Sequence, residues 1–453
     1  MIYLPFCIHN HQPAGNFDFV LEDAYRQSYW PFLKLLHGFS AIKMTIHNTG
    51  YLLDWIARVH PEYIELLSLM VNRGQVEIMG GGFFEPILAV IPDNDRAAQI
   101  GMMSDRIEEL FGVRPTGLWL AERVWEPTLP TSLNKAGVDY VLVDDFHFIK
   151  AGLRRAELGG YYITEDRGRA VKIFPGSEAL RYLIPFHTVP ELKAHLQGLG
   201  GKLKGGNAAI YGDDGEKFGV WPGTHKLVFK DGWLKRFFEM IQETGDVTPI
   251  TLGEYALREK PLGRVYLPTC SYMEMGEWSL PAGAGRDYGR LMESLKDKKE
   301  SKRFIQGGTW RGFFAKYPES NWMHKRMLMA SALLEKKRAE NTLPKETLRK
   351  AAESLYASEC NDAYWHGIFG GLYLPHLRTE VYKNILTCES VLMTGDEVGT
   401  CAESLDVDAD GLPELIISSG DSRLFMSPEF GGAAFELDSL FLGLNAMNVL
   451  TRW

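Results

Sequence analysis

The 453-residue chain has no run of about 18 apolar residues, so no transmembrane helix is expected. Its N-terminus, M-I-Y-L-P-F-C-I, is apolar for too few residues and lacks a basic start, so no secretory signal peptide is expected there. Cysteine is sparse: Cys7, Cys270, Cys360, Cys388 and Cys401 are odd in number, widely spaced and never in C-x-x-C. That argues against a disulfide framework or a zinc ribbon. Basic charge is in deficit, with 49 Lys+Arg against 58 Asp+Glu and a net charge of −9. A nucleic acid or an anionic membrane needs a basic face, so neither is an expected partner. The run Lys296 to Arg303 (K-D-K-K-E-S-K-R) reads as a solvated helix end or loop. Internal repeats and low-complexity tracts are absent as well. What remains is ordinary globular composition, 45% hydrophobic and 24% charged, which excludes intrinsic disorder. A soluble cytoplasmic protein is the default expectation.

The first 260 or so residues alternate β-rich runs with helical patterns. Strands are expected at Ile2–Ile8, Lys43–Ile46, Val76–Met79, Gly117–Leu120, Tyr140–Val143, Val171–Phe174, Ala208–Tyr211 and Thr248–Thr251. Amphipathic stretches lie between them, as at His60–Arg73, stopped by Gly74, and Asn94–Phe111, stopped by Gly112. Such alternation means parallel strands with crossover helices, and seven or eight units mean a closed or nearly closed barrel. From about Lys260 to Thr400 helices dominate, including Met323–Arg338 and Lys345–Ser358. The last 50 or so residues turn to short strands (L-I-I-S-S, F-M-S-P, F-E-L) between Gly and Pro, the opening of a β-domain. The resulting division is a barrel over 1–262, a helical domain over 263–398 and the start of a β-sandwich over 399–453. A sandwich needs about 100 residues, so the chain ending at Trp453 is expected to be incomplete.

In a β/α barrel the loops after the strands converge on the active site. Here the strand ends carry His9-Asn10-His11-Gln12, His47-Asn48, Glu85, Glu122-Arg123, Asp144-Asp145 with His147, and Asp213-Asp214-Gly215-Glu216-Lys217. Glu122 stands between Trp119 and Trp125 beside Arg123, which should hold a neighbouring carboxylate ionised. Asp214 stands among glycines in Y-G-D-D-G-E-K-F-G-V-W-P, with Asp213 and Glu216 near enough to raise its pKa by like-charge repulsion. Two such carboxylates flanked by aromatics suit glycosidic bond cleavage, one as nucleophile and one as proton donor. Surface salt bridges are the plainer alternative for each acid alone. Tryptophans at 119, 125, 221, 278, 310 and 365 suit the apolar faces of sugar rings, although any one can equally be core. His9 and His11 share a strand face and with His47 and an aspartate could ligate a metal; the simpler reading is a hydrogen bond to a sugar or a catalytic carboxylate.

Five segments in order resemble the family-57 glycoside hydrolases. They are H-N-H-Q-P from His9, G-Q-V-E-I-M-G-G-G-F-F-E-P from Gly74, W-L-A-E-R-V-W-E-P from Trp119, Y-G-D-D-G-E-K-F-G-V-W-P-G from Tyr211, and C-N-D-A-Y-W-H-G-I-F-G-G-L-Y-L-P-H-L-R from Cys360. The resemblance extends to S-Y-M-E-M-G-E-W-S-L-P from Ser271 and Y-P-E-S-N-W-M-H-K-R-M from Tyr317. It implies an α/β fold: an incomplete seven-stranded barrel, a helical segment and a C-terminal β-sandwich. It implies a retaining 4-α-glucanotransferase activity on α-1,4-glucans with no metal in the chemistry. By motif match Glu122 is the nucleophile and Asp214 the acid/base, their carboxyl groups about 5–5.5 Å apart as retention requires. His11, Glu77, Trp119, Glu216, Trp221, Asp362, Trp365 and His366 fall at substrate-binding positions. The implied partners are an α-glucan and a sugar acceptor; a homodimer stays open.

D-V-D-A-D-G-L-P-E starts like a calcium loop, making Asp406, Asp408, Asp410 and Glu414 candidate ligands of a structural calcium. Position twelve is Ile417, so it is not a standard EF-hand. The rival functions are an α-amylase or α-galactosidase of the same family, a metal-dependent sugar deacetylase, and a non-catalytic glucan binder.

Overall fold

The structure is a computed structural model and describes residues 1–393 and 400–450. The chain divides into two compact units. The first comprises residues 1–12, 17–83 and 96–310; the second comprises 13–16, 84–95 and 311–453. Among the described residues, no helix is long and apolar enough to cross a membrane.

In the first unit the strands are β1 (Ile2–Asn10), β2 (Met44–Asn48), β3 (Val76–Ile78), β4 (Gly117–Trp119), β5 (Tyr140–Asp144), β6 (Tyr162–Asp166), β7 (Arg169–Gly176), β8 (Tyr211–Asp214) and β9 (Val247–Ile250). Strands β3, β2, β1 and β8 form one parallel run, and β4, β5 and β7 a second. Two thin seams join them: Gly80 bridges Leu118, and Ser177 N–H donates to Ile210 O at 2.8 Å. The result is a seven-stranded, incomplete (β/α) barrel, as expected. The strand β9 pairs with the lower half of β1 instead of extending the ring. Strand β6 was not foreseen; it returns antiparallel on β7 through a turn in which Arg167 and Gly168 both have positive φ.

Parallel barrel strands are packed on both faces, which is why β1, β2, β4 and β5 are almost wholly buried. One buried cluster collects Cys7, Met79, Trp119, Leu142, Phe174 and Ile210 from nearly every strand. The crossover helices follow the amphipathic pattern. Pro61–Asn72 ends at Gly74, whose φ of +67° lies in the left-handed region that suits glycine.

The first compact unit continues past the barrel boundary expected at 262, as far as residue 310. The reason is packing. Trp125 and Cys270 exchange backbone hydrogen bonds at 2.9 and 3.1 Å, and Val265 N–H donates to Ile163 O. The Lys150 ammonium also binds the carbonyls of Lys302, Arg303 and Ile305. The second expected boundary, 398/399, lies outside the described residues, as does Trp453.

The second unit contains the helices Pro318–Glu340, Lys345–Ser358 and Pro375–Leu392. It also contains an antiparallel sheet of β10 (Cys401–Leu405), β11 (Glu414–Ser419), β12 (Ser422–Ser427), β13 (Ala433–Ser439) and β14 (Leu444–Asn445), paired in chain order. Sheet and helices meet at a buried ion cluster. Arg326 reaches Glu389 at 2.8 Å, Glu436 at 2.7 Å and Asp438 at 3.3 Å.

Candidate active site

The barrel mouth is built from the ends of β1, β2, β4, β5 and β8. Register places His9 beside His47 on one side and beside Asp214 on the other. The His9 and His47 Nδ1 atoms lie 2.7 Å apart, so one ring donates and the other accepts. Burial, reinforced for each by nearby histidines, pushes His9 well below the usual imidazole range and His47 down to about 3. His9 stacks on Trp119 at 4.5 Å and 11°.

Glu122 follows β4 on a strained turn: its φ is +51° and ψ +17°, and Arg123 also has φ +51°. Two successive non-glycine residues in this region cost of order 1–3 kcal/mol each. The strain turns the two side chains apart. The Arg123 guanidinium reaches Gly212 O at 3.0 Å and Asp213 at 3.3 Å. Glu122 Oε2 accepts the Tyr272 phenol at 2.6 Å. The carboxylate that Arg123 was expected to hold ionised is therefore Asp213.

Asp213 is fully buried and surrounded by three cations: Arg123, Arg181 at 3.4 Å, and Lys217 in direct ion-pair contact. Despite burial, those charges bring its carboxyl down to about 2. Asp214, next along the chain, is pushed upward, first by desolvation and then by the Asp213 charge. Like Glu122, it is only partly buried as a residue. Tyr272 lies between Glu122 and two of the cations that hold Asp213. Its hydroxyl holds Glu122, and its ring lies 5.8 Å from the Arg123 guanidinium and 5.5 Å from that of Arg181.

Glu216 closes the site from behind. It accepts the His11 N–H at 2.9 Å and the Tyr29 hydroxyl, and burial plus the Asp214 charge pushes it up to about 7. Gly215 is required here, because a side chain at that position would collide with Asn10 Oδ1. His11 itself stacks beside His9 at 5.8 Å. Trp221 stands at the edge, tilted against the 46%-exposed Phe186 at 6.0 Å, with the Lys217 ammonium 5.1 Å from its ring.

Several of the expected sugar-binding residues have close partners within their own unit. Trp119 is 3% exposed, with its ring between His9 and the Arg123 guanidinium, so it packs the barrel mouth from inside. Glu77 lies one layer lower, level with Cys7 and Thr45. Its carboxylate accepts from Tyr140 at 2.8 Å, Thr45 at 3.0 Å and Gly253 N–H at 2.9 Å, a structural set of partners. Asp362, Trp365 and His366 belong to the second unit. There Trp365 is 3% exposed, donates to Asn361 at 3.0 Å and packs on Phe313. Asp362 accepts the Cys360 thiol at 3.3 Å, and His366 Nδ1 lies 2.9 Å from Gly367 O. Of the calcium candidates, Asp406, Asp408 and Glu414 bring carboxylate oxygens within 4.8 Å of one another. Asp410 stands outside that group, accepting Leu412 N–H at 2.7 Å.

Arg181 and Tyr272 are participants that sequence reasoning passed over. Arg181 lies on the short helix Glu178–Leu183 with no local motif. Tyr272 lies within the quoted S-Y-M-E-M-G-E-W segment, which was its only sequence signal.

The glycosyl hydrolase family 57 model matches residues 5–268, which include all of these first-unit positions except Tyr272. The chain belongs to glycosyl hydrolase family 57. The alpha-amylase/4-alpha-glucanotransferase middle and C-terminal domain models match residues 308–392 and 406–453. The 4-alpha-glucanotransferase of Thermococcus litoralis is 44% identical over 99% of this chain and 65% of its own length. The alpha-amylase of Pyrococcus furiosus is 44% identical over 99% of this chain and 66% of its length. The chain thus spans about two thirds of these curated relatives, 65% of the first. The crystal structure of the T. litoralis enzyme superposes with a TM-score of 0.92 at 43% identity, covering 100% of this chain and 69% of that one. A family-57-type branching enzyme from Pyrococcus horikoshii shares the fold, with a TM-score of 0.63 at 15% identity over 86% of this chain and 89% of that one.

Proposed function

We propose that this family-57 chain is a retaining 4-α-glucanotransferase acting on α-1,4-glucans. The observation that supports the reading is that Tyr272, whose hydroxyl donates to Glu122, packs beside the two guanidinium groups that pair with Asp213, the chain neighbour of Asp214. A Glu122 carboxylate oxygen attacks the anomeric carbon and forms a C1–O ester bond as the C1–O4 glycosidic bond breaks. Asp214, whose proton is held more tightly through burial and the Asp213 charge, gives it to the departing O4. In the second half an acceptor 4-hydroxyl gives its proton to Asp214 and bonds to C1. The ester electrons return to Glu122. Trp221 and Phe186 offer the acceptor an aromatic edge that also excludes water.

Hydrolysis is the second reading, favoured by the alpha-amylase name of the P. furiosus relative at 44% identity. Incubation with maltotriose separates them. Longer chains plus released glucose support transfer; shorter chains alone overturn it in favour of hydrolysis.

The loop at Asp406, Asp408 and Glu414 offers the hard oxygen donors that calcium prefers. Backbone N–H groups already order it: Asp410 and Gly411 donate to Asp406 at 3.1 and 3.0 Å, and Val407 to Glu414 at 2.8 Å. A calcium ion there would cross-link the loop and take no part in the chemistry.

A further inference from the structure

Glu122 sits on the most strained turn of the barrel mouth, and one distant segment of the chain grips it. Residues 270–272 reach it by three routes. Cys270 forms an antiparallel bridge with Trp125, fixing the far side of the turn. The Ser271 hydroxyl donates to the Glu122 backbone carbonyl. The Tyr272 hydroxyl donates to Glu122 Oε2 at 2.6 Å. Backbone and carboxylate are thus held by consecutive side chains 149 and 150 residues away in sequence. Ser271 and Tyr272 are both buried, at 4% exposure each.

Tyr272 is itself immobilised. Arg123 and Arg181 lie by its ring, and Trp278 meets it edge-on at 6.0 Å. The phenol remains a donor because burial and then the Glu122 charge keep it protonated, well above its ordinary range.

We propose that Ser271 and Tyr272 are positioning residues for the nucleophile, with Ser271 holding the left-handed backbone and Tyr272 orienting the carboxylate and stabilising it as a leaving group. The proposal rests on the function proposed above and goes beyond it. The phenol engages Oε2, which assigns the bond to C1 to Oε1. When the acceptor O4 displaces Glu122 from C1, the bond electrons return to the carboxylate, and the Tyr272 hydrogen bond strengthens as that charge grows. In the first step the same bond is already formed, so it assists attack less than departure. The clamp therefore acts mainly on breakdown of the glycosyl-enzyme.

The test is Tyr272→Phe in the full chain, assayed on maltotriose, with acid-quenched samples weighed by mass spectrometry. A hydrogen bond to a charged group is worth about 10- to 100-fold, and kcat should fall by that factor. The apparent KM for the donor should fall with it, so that kcat/KM changes less, and a glycosylated protein should accumulate. The acidic limb of the kcat/KM profile should move to higher pH, since the ionised carboxylate has lost a donor. A merely structural role would raise KM, trap no intermediate and leave the limb in place; that result overturns the proposal. Ser271→Ala should lower kcat, with Ser271→Thr restoring it. Equal loss in both Ser271 variants also overturns it. A wild-type chain that turns over no α-1,4-glucan at all defeats the underlying function and the clamp with it, whereas an active wild type with an unaltered Tyr272→Phe defeats the clamp alone.

Discussion

Asp213 and Asp214 are adjacent in sequence and opposite in electrostatic fate. The first is enclosed by Arg123, Arg181 and Lys217 and stays ionised down to about pH 2; the second is partly open and held above the usual carboxylate range by burial and by Asp213. Asp213→Asn removes the repelling anion and leaves the three cations acting on Asp214. Its proton is then lost more easily, so the basic limb of the pH–rate profile should move to lower pH. Breaking a buried ion cluster in this way should cost about 3–5 kcal/mol, read from denaturant unfolding. In the wild type this carboxylate has a depressed pKa. Its contribution is complete above the ordinary value of 3.8 and is lost as pH falls toward about 2.

The catalytic assignment predicts parallel losses. Glu122→Gln and Asp214→Asn should each lose at least about 100-fold in kcat, the lower range for one acid–base group. Azide should restore turnover to a nucleophile-deficient Glu122→Gly variant, with inverted anomeric product. A Glu122→Gln enzyme of undiminished rate would remove the assignment.

Glu216 titrates near 7 instead of its ordinary 4.5 because it is buried beside Asp214. The sign follows from linkage: a raised acid pKa means that the folded state holds the proton more tightly. Stability therefore declines as pH rises from 4.5 to about 7, by roughly 3 kcal/mol from this group. Glu216→Gln lacks that term. Unfolding free energies of the two proteins, compared at pH 4.5 and 8, should converge or cross in favour of the variant at the higher pH.

Trp221 and Phe186 form an open aromatic edge by Lys217. Trp221→Ala should weaken acceptor binding and admit water, raising the hydrolysed fraction of maltotriose product while cleavage changes by less than about tenfold. An aromatic contact of about 0.5–1.5 kcal/mol sets that scale. An unchanged product ratio would place the acceptor elsewhere.

Chelation should separate chemistry from structure. With the loop at Asp406, Asp408 and Glu414 stripped, glucan turnover at moderate temperature should persist. Calcium at 100 times its Kd should add about 2.7 kcal/mol to unfolding, seen as a higher melting temperature that Asp408→Asn abolishes. Loss of turnover on chelation would revive the metal reading of the histidines.

Much of the barrel was legible because its strands are short apolar runs set between amphipathic helices, and that periodicity is local. Lys345–Ser358 was read to the residue. Strand β6 was missed because Tyr162–Asp166 mixes polar and apolar residues, although the Arg167–Gly168 turn was a usable sign. That Trp119 and Trp365 are each only 3% exposed was not legible, because composition shows an aromatic ring but not what covers its faces. That Glu77 lies level with Cys7 and Thr45 was not legible, since register between strands has no sequence signature.

The sequence by itself determined the strand–helix alternation and the family, because short motifs and hydrophobic periodicity are properties of neighbours along the chain. Only the tertiary structure decided that Arg123 serves Asp213, that Glu122 lies in a left-handed turn, and that Ser271 and Tyr272 hold it there. Those relations join side chains 90 to 150 residues apart, where burial and Coulomb attraction act through space.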